Sequence, residues 1–183
     1  FLEIRQLVQI GGDGDAIDVP SGTYPDVSLA YEATNCYHCE HPPCVKACPT
    51  QATFKQDNGT VAIDYDRCIG CRYCMVACPY GVRVFNWGEP DRPTDFDTGM
   101  VAPRPVGTME KCTFCVHRLA DGQIPSCVWS CPTQARVFGD LNDPDSRVSR
   151  LIRERGGEQL LEERGTDPRV VYLPPRRERG LDT

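Results

Sequence analysis

The chain has 183 residues, enough for one large or two small domains around a sizeable core. Hydrophobic residues make up 40%, but the apolar runs are only a few residues long, which leaves nothing to span a bilayer. Twenty basic against 26 acidic residues give a formal charge of −6, which argues against a general nucleic-acid binder.

The opening FLEIRQLV carries charges and lacks the continuous apolar core of a secretory signal. A start at Phe1 predicts that something upstream has been cleaved, trimmed or left out, so residues 1–26 read as an N-terminal segment. Apolar alternation predicts short strands over 27–33 (VSLAYEA) and 61–65 (VAIDY). Between TFKQ and TVAID, Asp57-Asn58-Gly59 predicts a hairpin turn, because Asn and Gly tolerate positive φ. Single helical turns are expected at 45–47 and 75–77. Residues 27–85 therefore read as one α+β, ferredoxin-like module of short strands, single-turn helices and long loops. Residues 86–110 are rich in Pro, Gly and Asp without periodicity, and read as an ordered or partner-docking insert rather than a core element. Over 111–175 a second half-module is expected. Its helix would have Asp143 as N-cap and Pro144 at the first position, end near Gly156 and bury Val148, Leu151 and Ile152. Residues 170–173 (VVYL) could form a closing strand. The tail 176–183 opens on the basic RRER at 176–179, read as solvated, with docking as the alternative.

The twelve cysteines fall into three quartets along this chain. They are Cys36, Cys39, Cys44 and Cys48; Cys68, Cys71, Cys74 and Cys78; and Cys112, Cys115, Cys127 and Cys131. Each opens with C-x2-C and closes with C-x3-C-P, and CPTQA occurs at both 48–52 and 131–135. Disulfides fit poorly, since C-x2-C pairs are poor partners for one another. Structural zinc is the serious alternative, but zinc needs neither four thiols packed so closely nor a proline after the last. The middle quartet matches the bacterial ferredoxin run C-x2-C-x2-C-x3-C-P outright, so the reading is iron–sulfur.

A cubane needs four thiolates converging from different directions. Three cysteines wrap it from one loop, while the fourth lies about one helical turn further on and points elsewhere. In two-cluster ferredoxins that fourth thiolate serves the partner cluster. The rule pairs Cys36, Cys39 and Cys44 with Cys78, and Cys68, Cys71 and Cys74 with Cys48. Proline after each fourth cysteine stops the helix, and the chain leaves as a strand. In the third quartet Cys112, Cys115 and Cys127 wrap one cluster. Cys131 either closes that cluster or serves a fourth, in which case an upstream cysteine takes its place. The expectation is that a further cysteine run precedes Phe1.

The runs NCYHCEHPPCVKACPT, DYDRCIGCRYCMVACPYGVRVFN and EKCTFCVHRLADGQIPSCVWSCPTQARVFGDL resemble those of the iron–sulfur electron-transfer subunits of molybdopterin oxidoreductases. That group includes polysulfide, thiosulfate, tetrathionate, arsenate and dimethyl-sulfoxide reductases. The resemblance covers about residues 20–175, and the family's first cysteine motif, which precedes this region, is absent from the chain. It implies a pair of ferredoxin-like modules whose [4Fe-4S] clusters stand in a row: three from this chain, and a fourth where an upstream motif is present. It also implies a non-catalytic subunit passing electrons between a membrane anchor that reacts with quinone or quinol and a catalytic subunit holding a molybdenum or tungsten pterin. Such a subunit is peripheral to a membrane-associated complex, on the extracytoplasmic face in preference to the cytoplasmic one. A polyferredoxin-like relay for another redox enzyme, such as a hydrogenase, is the alternative, with a zinc-stabilised interaction module behind it.

Other residues are expected to support the clusters. His38 and His41 lie inside a complete quartet and read as packing residues rather than ligands. His117 reads as a hydrogen-bonding helix residue, and Trp87 and Trp129 as core or interface aromatics. Lys46, Arg72 and Lys111 sit beside ligands, where they would offset cluster charge and raise potentials, or else remain on the solvated surface. No phosphate loop, dinucleotide fingerprint or set of catalytic residues stands out.

Overall fold

A computed structural model describes residues 31–89 and 104–173, together with 5–6 and 25. The elements are short throughout. In chain order they are β1 (Arg5–Gln6), β2 (Tyr31–Glu32), α1 (Pro43–Lys46), β3 (Thr53–Lys55), β4 (Val61–Ile63) and α2 (Tyr73–Val76). There follow β5 (Val84–Phe85), β6 (Met109–Glu110), α3 (Val116–Ala120), α4 (Ser126–Trp129), α5 (Arg147–Arg155) and a 3-10 turn at Glu162–Arg164. No helix among the described residues is long and apolar enough to cross a membrane. The chain divides into two compact units, one of residues 34–130 and 159–170, the other of 1–33, 131–158 and 171–183.

In the first unit β3 and β4 form an antiparallel hairpin with Thr53 opposite Ile63 and Lys55 opposite Val61. Its turn is the Asn-Gly turn expected. Gly59 has φ +83°, Asn58 Oδ1 accepts from the Thr60 N–H at 3.0 Å, and Gln56 N–H donates to Thr60 O at 2.8 Å. Each of α1 and α2 is a single turn. Pro43 starts α1 at a position where its missing N–H costs nothing. Pro49 and Pro79 follow the fourth cysteines and prevent either turn from lengthening. The two turns bring Cys44 and Cys74 into one buried cluster with Val61 and Met109.

Met109 corrects the reading of 86–110 as outside the core. Residues 90–103 lie outside the described region, but Met109–Glu110 pairs antiparallel with Val84–Phe85. Met109 itself is buried beside the two cysteines. Loop composition hides a two-residue strand whose single apolar side chain does the packing. Trp87 and Trp129 are also corrected as core residues: they are 74% and 72% exposed. Trp87 meets Phe85 edge-on at 4.6 Å between ring centroids. One arginine lies over each ring, Arg72 over Trp87 and Arg118 over Trp129.

Residues 159–170 run back over the first cysteine loop. Glu40 N–H donates to Asp167 O (2.8 Å), His41 N–H to Thr166 O (3.0 Å) and Arg169 N–H to Tyr37 O (2.9 Å). Glu40 pairs with both Lys55 and Arg169.

In the second unit α5 is capped by Ser146, whose hydroxyl accepts from the Ser149 N–H, rather than by Asp143. Asp143 instead accepts from the Asp145 N–H at 2.9 Å and holds the turn before the helix, which leaves Pro144 outside it. The helix ends at Gly156 as expected. Val148 is buried against Gly139, while Leu151 and Ile152 are half-buried. Residues 170–173 are buried, but in place of a strand Tyr172 makes an isolated antiparallel bridge with Glu158. Of the strand expected over 27–33, Tyr31–Glu32 is present, paired with Arg5–Gln6, and residues 27–30 lie outside the described region.

Candidate metal centres

Two sulfur-lined cavities lie within the first unit. One is lined by Cys36, Cys39, Cys44 and Cys78, together with His38, Tyr80 and Arg83. The other is lined by Cys48, Cys68, Cys71 and Cys74, together with Thr50, Thr53, Arg72 and Met109. Each therefore takes three thiols from one run and the fourth from the other. The cause is local: α1 and α2 are single turns, and a thiol four residues beyond the third must point away from its own loop. Arg72, which caps α2, adopts a left-handed backbone (φ 63°) that turns the chain sharply between Cys71 and Cys74.

The donor set suits a metal–sulfur group. Burial pushes the Cys36 and Cys74 thiols up, and Cys39 up to about 11. Such thiols stay protonated until a bound metal takes their sulfur, since a coordinating thiol is deprotonated outright. Burial also opposes the Cys48 thiolate, but the Thr53 N–H at 3.4 Å and the Thr50 hydroxyl at 3.7 Å hold it below its ordinary value. N–H donors on sulfur are what tune a cluster. Among the described residues, no group of three or more His, Cys, Asp or Glu could hold a single metal ion.

His38 packs beside the cluster loops, as expected of it. It is 1% exposed and stacks on Phe114 with ring centroids 3.9 Å apart. Nδ1 accepts from the Val61 N–H at 3.0 Å. Burial, then the nearby Lys111 charge, pull its pKa down to about 3, so the ring is neutral. Lys111 donates to Val61 O and to Cys112 O, which places its charge between the first cavity and the third cysteine run. His41 and Lys46 are exposed, and His117 is half-buried in α3. Arg72 is exposed and covers the Phe85 and Trp87 rings beside the second cavity. The stretch 176–179 lies outside the described residues.

Cys112, Cys115 and Cys127 belong to the first unit and Cys131 to the second. Phe114 N–H donates to Cys112 Sγ at 3.5 Å, and Cys115 Sγ lies 3.9 Å from Ser126 Oγ. The Thr133 hydroxyl, 3.5 Å from Cys131 Sγ, holds that thiol below its ordinary value.

Two contributors escape sequence reasoning. Tyr80 comes from the CPYG turn. Its hydroxyl meets Thr166 Oγ1 at 2.5 Å, its ring meets Tyr37 at 4.2 Å, and burial pushes it up to about 12. Arg83 stands between apolar neighbours in V-R-V, where alternation points a charge outward. Instead Arg83 is 2% exposed and Val84 is 63% exposed. Only the presence of buried thiols on both sides could have signalled the inversion.

The 4Fe-4S dicluster domain matches residues 27–91 and 100–141. A putative dimethyl sulfoxide reductase iron-sulfur subunit of Halobacterium salinarum is 55% identical over 166 residues, covering 87% of this chain and 63% of that protein. A selenate reductase subunit of Mesobacillus selenatarsenatis is 44% identical, covering 86% and 59%. The arsenate respiratory reductase iron-sulfur subunit of Shewanella is also 44% identical, covering 86% and 80%. The chain thus spans about three fifths of the length of the first two.

Proposed function

The chain belongs to the 4Fe-4S dicluster domain family, and on that premise we propose that it relays electrons through [4Fe-4S] clusters between a membrane quinone- or quinol-reactive subunit and a catalytic subunit holding a molybdenum or tungsten pterin. The observation that carries this reading is the exchange of fourth cysteines between the two cavities. A two-cluster ferredoxin is built on this three-plus-one exchange, whereas a zinc site does not require it. When bound, such clusters accept and pass on single electrons.

The ligand sets are Cys36, Cys39 and Cys44 with Cys78, and Cys68, Cys71 and Cys74 with Cys48. A third set is Cys112, Cys115 and Cys127 with either Cys131 or a cysteine upstream. Residues 27–85 form the two-cluster module, with Met109 completing its core, and 111–175 the second half-module. The chain's own work is to hold the sulfurs, exclude water and supply fixed charge and N–H donors. Lys111 and the amides of Thr53 and Phe114 are placed for this. Relatives carry the names of reductases with different substrates, which supports a relay that leaves substrate chemistry to its partner. The subunit is peripheral to a membrane-associated complex, on the extracytoplasmic face.

Anaerobic analysis of the purified complex tests the reading. This chain should contribute about twelve irons and as many acid-labile sulfides, about four per cubane, if Cys131 closes its own cluster. A further cluster's worth indicates an upstream run. Molybdenum or tungsten should co-purify. Stoichiometric zinc with negligible sulfide would reject the function, and a cluster-loaded complex without either pterin metal would assign the relay to another redox enzyme.

A further inference from the structure

Arg83 is a buried cation with too few partners. It is 2% exposed, Nη1 donates to Thr53 Oγ1 at 3.3 Å, and Nη2 has no hydrogen-bond partner. A structural arginine buried this deeply is normally paired or fully hydrogen-bonded, because an unpaired buried charge costs several kcal/mol. Its side chain also reaches the thiols of Cys44 and Cys74. Cys44 and Cys36 line the first cavity and Cys74 the second. Arg83 itself lines the first cavity, while its partner Thr53 lines the second and donates its N–H to Cys48 Sγ. Cys44 and Cys74 share one buried cluster with Val61 and Met109.

Resting on the iron–sulfur relay function, we propose that Arg83 is a shared counter-charge that tunes two clusters at once, leaving Nη2 for a sulfur of the first. Reduction of either cluster adds one electron and one negative charge. Arg83 keeps its proton throughout, so its positive charge favours the reduced form of each and raises both potentials. One residue thereby holds two neighbouring potentials in step, which a relay needs if an electron is to pass without being trapped.

Anaerobic potentiometric titration of the purified complex, followed by electron paramagnetic resonance after iron and sulfide have been counted, reads the effect. The two signals are assigned by their loss in Cys78→Ala and Cys48→Ala. Arg83→Gln should keep its iron and shift both midpoints to more negative values. Arg83→Lys, which retains the charge, should leave both near wild type. With iron retained in Arg83→Gln, a shift of one midpoint alone, or of neither, overturns the shared role. Should Arg83→Gln lose its clusters, Arg83→Lys decides: unmoved midpoints uphold the charge role. Midpoints that fall in Arg83→Lys overturn it in either case. A wild-type complex lacking iron and sulfide would instead remove the relay function itself, which is a different failure.

Discussion

Cys78 sits one turn beyond Cys74 yet lines the cavity of Cys36, Cys39 and Cys44. Its removal should therefore damage a cluster whose other ligands lie more than thirty residues upstream. In Cys78→Ala the signal of the first-quartet cluster is expected to disappear while that of Cys68, Cys71 and Cys74 persists, and Cys48→Ala should do the reverse. Iron counting and electron paramagnetic resonance on both variants check this; damage confined to each variant's own run would reject the exchange. His38 offers a second test at this scale. Its Nδ1 is the acceptor for the buried Val61 N–H. His38→Phe keeps a ring to stack on Phe114 but orphans that donor, which should cost about 1–3 kcal/mol in denaturant unfolding. The C-x2-C spacings made the thiols legible from the sequence. Arg83 was not legible, because local alternation assigns it to solvent, while its contact with Thr53 and its place in the first cavity depend on segments far apart in the chain.

At the scale of elements, the turns between cysteines are too short for propensity to matter, and glycine placement carries the geometry. Gly70 has φ +65°, and a Cβ there would lie 2.0 Å from the Gly107 carbonyl oxygen and 3.0 Å from the Phe85 ring. This contact joins the second cysteine loop to the chain entering β6. Gly70→Ala should therefore destabilise by about 3 kcal/mol or more, combining left-handed strain with overpacking. Gly59→Ala, at φ +83° with open space around its Cβ, should lose about 1–2 kcal/mol from strain alone. Comparing the two unfolding midpoints separates conformation from contact. Sequence reasoning located the hairpin through Asn58-Gly59, since that turn is chemistry local to three residues. It misplaced the cap of α5, because Asp143 and Ser146 both suit capping. Where the two compete, Ser146 wins by also donating its hydroxyl to Asp140 O at 2.6 Å.

For the molecule as a whole, residues 159–170 return to the first cysteine loop from more than a hundred residues away. Glu40 is the charged link, facing Lys55 and Arg169 with each partner less than a third exposed. Glu40→Gln removes two ion pairs and keeps the size, and should cost about 1 kcal/mol, less at high salt. Limited proteolysis should then cut within 159–170 faster than in wild type. Unchanged cutting would mean that the backbone hydrogen bonds and the Tyr80 contacts with Leu160 and Thr166 hold the segment without Glu40.

The cysteine spacings, the prolines behind them and the Asn-Gly turn determined the iron–sulfur family, the thiols that line each cavity and the hairpin. Each depends on neighbours within a few residues, where bond geometry leaves few choices. Tertiary structure alone decided that Met109 joins the core, that Arg83 lies inside and that Glu40 meets Arg169. Burial and charge pairing are summed over segments far apart in the chain, and no local pattern records that sum.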